Sequence, residues 1–144
     1  MPIKSFRGNL TDGEIETIRL TTNNGLTGYY IRKFELIAEQ PMAVDQESVV
    51  QIFSVEQTTA SAVIDFNNPL LLAAGQIANS TSGYYNTGYD QIIFDNVAIN
   101  QDIYVTHKDN HGSGACNYYL ELEQVKLDND EAAVATLKDI RGTN

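Results

Sequence analysis

Residues 117–127, NYYLELEQVKL, set Tyr119, Glu121, Glu123, Val125 and Leu127 in alternation with Tyr118, Leu120, Leu122, Gln124 and Lys126. Side chains of a strand point to opposite faces in turn, whereas a helix groups residues three and four apart. Residues 28–39, GYYIRKFELIAE, repeat the pattern, with Tyr30, Arg32, Phe34, Leu36 and Ala38 on one side. Tyr29, Ile31, Lys33, Glu35 and Ile37 fall on the other. Charges interleaved with Tyr, Ile, Val and Leu mark half-buried antiparallel strands. IKSFR, EIETIRL, SVVQIFSVE, AVIDF, QIIFD and DIYVTH read the same way, for about eight strands.

Turn residues separate these runs. Asn24-Gly25 is a strong hairpin signal and predicts a turn joining EIETIRL to YYIRKFEL. Pro41 with Met42 to Gln46 ends the long strand, and Asn67-Asn68-Pro69 marks another break. NPLLLAAGQIA reads as one or two helical turns opening at Pro69, or else a buried strand; the helical reading is preferred. NDEAAVATLKDIRG predicts an amphipathic C-terminal helix from about Asp130 to Arg141, capped by Asn129 or Asp130, with a final strand as the alternative. Val134, Leu137 and Ile140 form its apolar row, and Lys138 and Arg141 lie near its end. The expected fold is an all-β antiparallel sandwich, jelly-roll-like, in one domain spanning 1–144.

A domain of this length buries roughly 68–70% of its unfolded surface and needs no staples. The single cysteine, Cys116, cannot form an internal disulfide. MPIKSFRG lacks the apolar stretch of a secretory signal, and PLLLAAG is far shorter than a membrane span, so a soluble protein made in a cytoplasm is expected. Nineteen acidic against nine scattered basic residues give a net charge of −10. That field repels phosphate backbones, so neither nucleic acid nor membrane is an expected partner.

Three clusters invite a chemical reading. THKDNHGSGACNYY (106–119) holds both histidines and the cysteine. His107, Asp109 or His111, and Cys116 could be imagined around a zinc ion, but neither CxxC nor HExxH spacing is present. Residues 106–117 read as a solvated hairpin loop without metal. LDNDEAA opens like a calcium loop at Asp128 and Asp130, yet Ala133 and Asp139 stand where that loop needs Gly and Glu. Glu121 and Glu123 read as a solvated strand face. No GxSxG elbow or phosphate-binding loop occurs, no Trp is available for a sugar cleft, and no catalytic, cofactor or metal residue is assigned. The loop ANSTSGYYNTGYD has the composition of adaptable binding loops, making Tyr84, Tyr85 and Tyr89 the candidate recognition residues.

IKSFRG, TIRLTTNNGLTGYYIRKFEL, NQDIYVTHKD and NYYLELEQVKLDNDEAAVATLKDIR together resemble the small virion structural proteins of marine tailed bacteriophages, cyanophages among them. The resemblance runs over most of the chain and rests on overall pattern. It implies a non-enzymatic particle component, assembled in the host bacterial cytoplasm, with capsid or other virion proteins as partners. A decoration or cement protein is the expected role, acting as a homo-oligomer with a trimer favoured. The alternatives are a tail or fibre module recognising a host glycan, and a small carbohydrate-active β-sandwich enzyme.

Overall fold

The computed structural model describes residues 2–81, 90–94 and 98–141, with side chains through residue 137. The elements are β1 (Ile3–Leu10), β2 (Ile15–Ile18), β3 (Thr27–Ala38), β4 (Gln46–Phe53), β5 (Leu71–Asn79), β6 (Asp90–Ile93), β7 (Ile103–Asp109), β8 (Cys116–Lys126) and α1 (Asn129–Arg141). All strand pairs are antiparallel. They build a three-stranded sheet ordered β1-β8-β3 and a five-stranded sheet ordered β2-β7-β4-β5-β6. The protein is thus an all-β antiparallel sandwich with a short C-terminal helix, as the alternating runs predict. Phe34, Leu36, Leu120 and Leu122 of the first sheet meet Val50, Ile52, Ile103 and Val105 of the second in one core.

Strand β8 lies in the middle of its sheet and fixes the register. Cys116, Tyr118, Leu120 and Leu122 are buried while Asn117, Tyr119, Glu121 and Glu123 reach the surface. Burying one leucine is worth about 1.5–3 kcal/mol, so a one-residue slip that expelled Leu120 and Leu122 would cost about 3–6 kcal/mol.

In β3 the expected faces hold only from Phe34 onward. Ile31 pairs with Leu122 but Lys33 pairs with Glu121, leaving Arg32 as the extra residue of a bulge. The phase therefore flips, and Tyr29 joins Phe34, Leu36 and Ala38 inside while Tyr30 turns outward. Unbroken alternation would aim the Arg32 charge at the core, at a large desolvation cost. The bulge places its guanidinium over the Tyr30 ring, 4.7 Å from the centroid, and Nε 2.6 Å from Glu123 Oε1.

Three further expectations are corrected. The Asn24-Gly25 turn forms, with Gly25 at φ 67° and Leu26 N donating to Asn24 Oδ1, but β2 and β3 belong to different sheets. It is not a hairpin. Asp102 Oδ1 accepts the N–H groups of Leu20 and Thr21 at 2.8 and 2.9 Å, leading the chain away from β2 before the turn. NPLLLAAGQIA is strand β5, not helix: Ala73 and Ile77 face the main core while Leu71 and Ala74 lie under a second cluster. A strand covered on both faces reads as a continuous apolar run. AVIDF forms no strand. It belongs to the segment 54–70 laid over the outer face of the five-stranded sheet, where Ile64 packs near Phe53 and Gln51 Nε2 donates to Ser61 O and Val63 O.

The helix starts with a capping box. Asp128 Oδ1 accepts Glu131 N at 2.7 Å and Glu131 Oε1 accepts Asp128 N at 3.1 Å, so the cap is Asp128, one residue before the expected pair. Its docked side is Ala132 and Ala135, with Leu127 against Leu26, Ala98 and Val125. Val134 and Leu137 of the expected apolar row lie outside instead, 62% and 54% exposed. Alanines let the helix backbone approach closely, and the buried Asn100 amide reaches Ala132 O, Thr136 Oγ1 and Gly25 O.

Candidate functional site

Residues 106–117 are not a hairpin, although residues 110–113 are exposed as a solvated loop would be. Strand β7 runs through Asp109 in the five-stranded sheet and β8 begins at Cys116 in the three-stranded one, so residues 110–115 cross between the sheets. His107 stands opposite Val50 within the ladder and is fully buried. An imidazole in that position needs partners for both nitrogens. Nδ1 lies 3.0 Å from Thr11 O, which can only accept, so Nδ1 carries a hydrogen. Nε2 is then free to accept from the Ser48 hydroxyl at 2.8 Å. Ser48 Oγ in turn accepts from Gln46 Nε2 at 2.6 Å, and that nitrogen also donates to Ala115 O.

Ser48 beside His107 has the separation of a nucleophile and its base. Both side chains are at 0% exposure, and the orienting partner is a backbone carbonyl. As placed, the pair meets no substrate. It ties the β1–β2 connection at Thr11 to strands β4 and β7.

Asp109 does comparable work with a charge. Its Oδ1 accepts N–H groups from Glu47, His111 and Gly112, and Oδ2 accepts Gly114 N, all between 2.9 and 3.0 Å. Burial disfavours the ionised carboxyl, but the His111, Glu47, Gly112 and Gly114 donors outweigh it and hold the group below the usual carboxylate range. At the same end the buried Asn79 donates to Gln40 O and Val44 O and accepts Met42 N at 2.7 Å. Met42 has φ 64°, a left-handed conformation costing a non-glycine residue about 1–2 kcal/mol, and Asn79 helps to hold it there. Gln46, Ser48, Asn79, His107 and Asp109 thus form a buried polar layer that pins three connecting segments onto one end of the sandwich.

Among the described residues no three His, Cys, Asp or Glu side chains are grouped so that they could hold a metal ion. Cys116 packs in the core, where burial and the Asp109 charge push its thiol up to about 12. Asp128, of the calcium-like run, is committed to the helix cap. Tyr84, Tyr85 and Tyr89 lie outside the described residues.

The outer face of the three-stranded sheet carries polar and aromatic groups in register. Arg7, Tyr119 and Glu35 form one row across β1, β8 and β3, and Asn9, Asn117 and Ile37 the next. These six residues line a shallow depression of about 540 Å³. Asn9 Nδ2 donates to Glu39 Oε2 and Asn117 Oδ1, and Tyr119 OH donates to Glu121 Oε2 at 2.6 Å. Glu121 and Glu123 are half-exposed, and each has a partner from the same face, Tyr119 and Arg32 respectively. Sequence reasoning missed this depression, because Arg7 and Asn9 meet Tyr119 and Asn117 only through long-range pairing. It also missed Gln46, Ser48, Asn79 and Asn100; a polar residue inside an apolar run is the only trace they leave. No protein-family model matches the chain, and no curated protein matches it.

Proposed function

We propose that this protein is a non-enzymatic structural component of a tailed-phage particle, a decoration or cement protein carried in many copies on the capsid. The observation that carries the reading is the nesting of the strands. β1 pairs with β8, β2 with β7 and β4 with β5, and a bridge from Tyr29 to Ile99 joins β3 to the chain just after β6. We read this as a jelly roll, an architecture recurrent in viral capsid domains and lectins. The resemblance to small marine phage virion proteins points the same way. So does the −10 charge, which favours solubility in a densely displayed protein.

On this reading the partners are capsid or other virion proteins and further copies of the chain, with a trimer as the expected unit. The protein assembles in the host cytoplasm and resides in the virion. One observation favours a second reading, a tail or fibre module that takes a host glycan: the depression lined by Tyr119, Asn9, Asn117, Arg7 and Glu35 sits on an open sheet face. An aromatic surface flanked by amides and charges suits a sugar.

Copy number separates the readings. Quantified against the major capsid protein in purified particles, a decoration protein is present in comparable numbers. A small fraction of that number moves the assignment to the tail, and absence from particles ends both. Glycan-array binding abolished by Y119A supports the sheet-face site, whereas binding abolished only by Y84A/Y85A/Y89A places recognition in the tyrosine loop.

A further inference from the structure

We propose that the outward side of α1 is a self-association surface, on which two copies of the chain pair their C-terminal helices antiparallel about a two-fold axis. The helix lies on the sandwich with its small residues down, Ala132 and Ala135 buried, and its larger aliphatic residues up. Val134 and Leu137 are 62% and 54% exposed, three residues apart and therefore neighbours on one side. Asp130, also exposed, stands four positions before Val134. The spacing 4-3 makes Asp130, Val134 and Leu137 one row along the side opposite the docked alanines.

That row chooses its occupant by charge. It opens acidic and continues aliphatic, and the last turn of the helix is basic in sequence, with Lys138 and Arg141. A parallel partner would set acid against acid and base against base. An antiparallel copy sets Val134 against Leu137 of its mate at both places, and brings each Asp130 to the end of its mate's helix that is basic in sequence. Helix dipoles also oppose favourably in that arrangement. The same patch thus serves both partners, as a two-fold contact requires.

The helix has 13 residues, about 20 Å at 1.5 Å per residue, so the full row can engage. Two aliphatic side chains per copy fall well short of the ~800 Å² per partner that stable complexes bury. The pairing is therefore weak and concentration-driven. It stands apart from the assignment to a phage particle, since it concerns the chain's own surface. Being two-fold, it yields an even number of copies; if the chain also forms trimers, it is the contact that joins one trimer to another.

Sedimentation equilibrium of the full-length protein, from micromolar to millimolar, tests it. The weight-average mass should rise towards twice that of the smallest species. V134S/L137S should hold the mass at that smallest species, with unchanged helical circular dichroism and melting temperature. D130R should weaken the pairing at least several-fold, and D130R/R141D in one chain should restore it. A mass fixed at one chain or three at every concentration overturns the proposal. So does doubling that survives V134S/L137S, or doubling that ignores D130R.

Discussion

Asp109→Asn removes one charge and one acceptor from a carboxylate that holds two segments of backbone. Four N–H groups, from Glu47, His111, Gly112 and Gly114, point at the two carboxylate oxygens, and the residue is only 3% exposed. Asparagine retains one oxygen. With the amide nitrogen in the Oδ2 position, Gly114 N–H faces a donor; in the other orientation three N–H groups do. Hydrogen bonds to a charged group contribute about 1.5–3 kcal/mol each, and those that remain become neutral and weaker. The expected loss is about 3 kcal/mol, which for a domain of this size lowers Tm by about 6–12 °C. Urea denaturation at pH 7 measures it. A change within about 0.5 kcal/mol, the range of ordinary surface substitutions, would refute the claim that this carboxylate anchors the 110–115 crossing.

Titration gives the same substitution a second readout. The folded carboxyl of Asp109 lies below its ordinary value of 3.8, so between the two values the unfolded chain binds more protons than the folded one. Stability from this group is therefore complete above the unfolded value and falls away as pH drops through the folded one. The Asn variant has no such group. Wild-type and variant curves should lie furthest apart near neutral pH and converge below about pH 4, where the wild-type carboxyl is being neutralised. A gap that stays constant into strong acid means the charge contributes nothing.

The remaining predictions concern the core. Gly75→Ala would place its Cβ 2.7 Å from Leu36 Cδ1 and 3.2 Å from Phe34 Cε2 of the opposite sheet. Overpacking of that kind costs about 1–3 kcal/mol, although alanine is otherwise the better strand residue; an equally or more stable variant in chemical denaturation contradicts the packing. Cys116 should resist alkylation by iodoacetamide at pH 8 in the native protein and take one equivalent in denaturant, because its buried thiol titrates near 12 and only the thiolate reacts. Labelling at equal rates in both states would place the cysteine outside the core.

What the sequence disclosed depended on how far apart the deciding residues lie. Strand β8 and the late half of β3 were legible because alternation is local and one face of each is solvated. The Arg32 bulge left no local mark: Arg32 keeps to the alternation, and only pairing with Leu122 and Glu121 shows that it is the surplus residue. Strand β5 was misread because a strand covered on both faces loses its period, and its outer cover is the non-strand segment 54–70.

The histidine cluster went wrong for a related reason. Thr-His-Lys-Asp beside Gly, Ser and Asn has the composition of an exposed turn. Its function in the fold is set by Thr11, Gln46 and Ser48, dozens of residues upstream. Those polar groups are tolerated inside because most have a partner; among them Gln46 Oε1 and Thr106 Oγ1 are buried without one. An unmade hydrogen bond in the interior costs about 1–3 kcal/mol, so polar residues there are the most constrained by distant partners and the least readable locally. The helix reverses the case. Its sequence announces an amphipathic segment, and the segment forms, yet the side it buries was decided by Asn100 and by alanines small enough to let that amide reach the helix backbone. The aliphatic row left outside is therefore a consequence of long-range docking, and it is where surface suited to association remains.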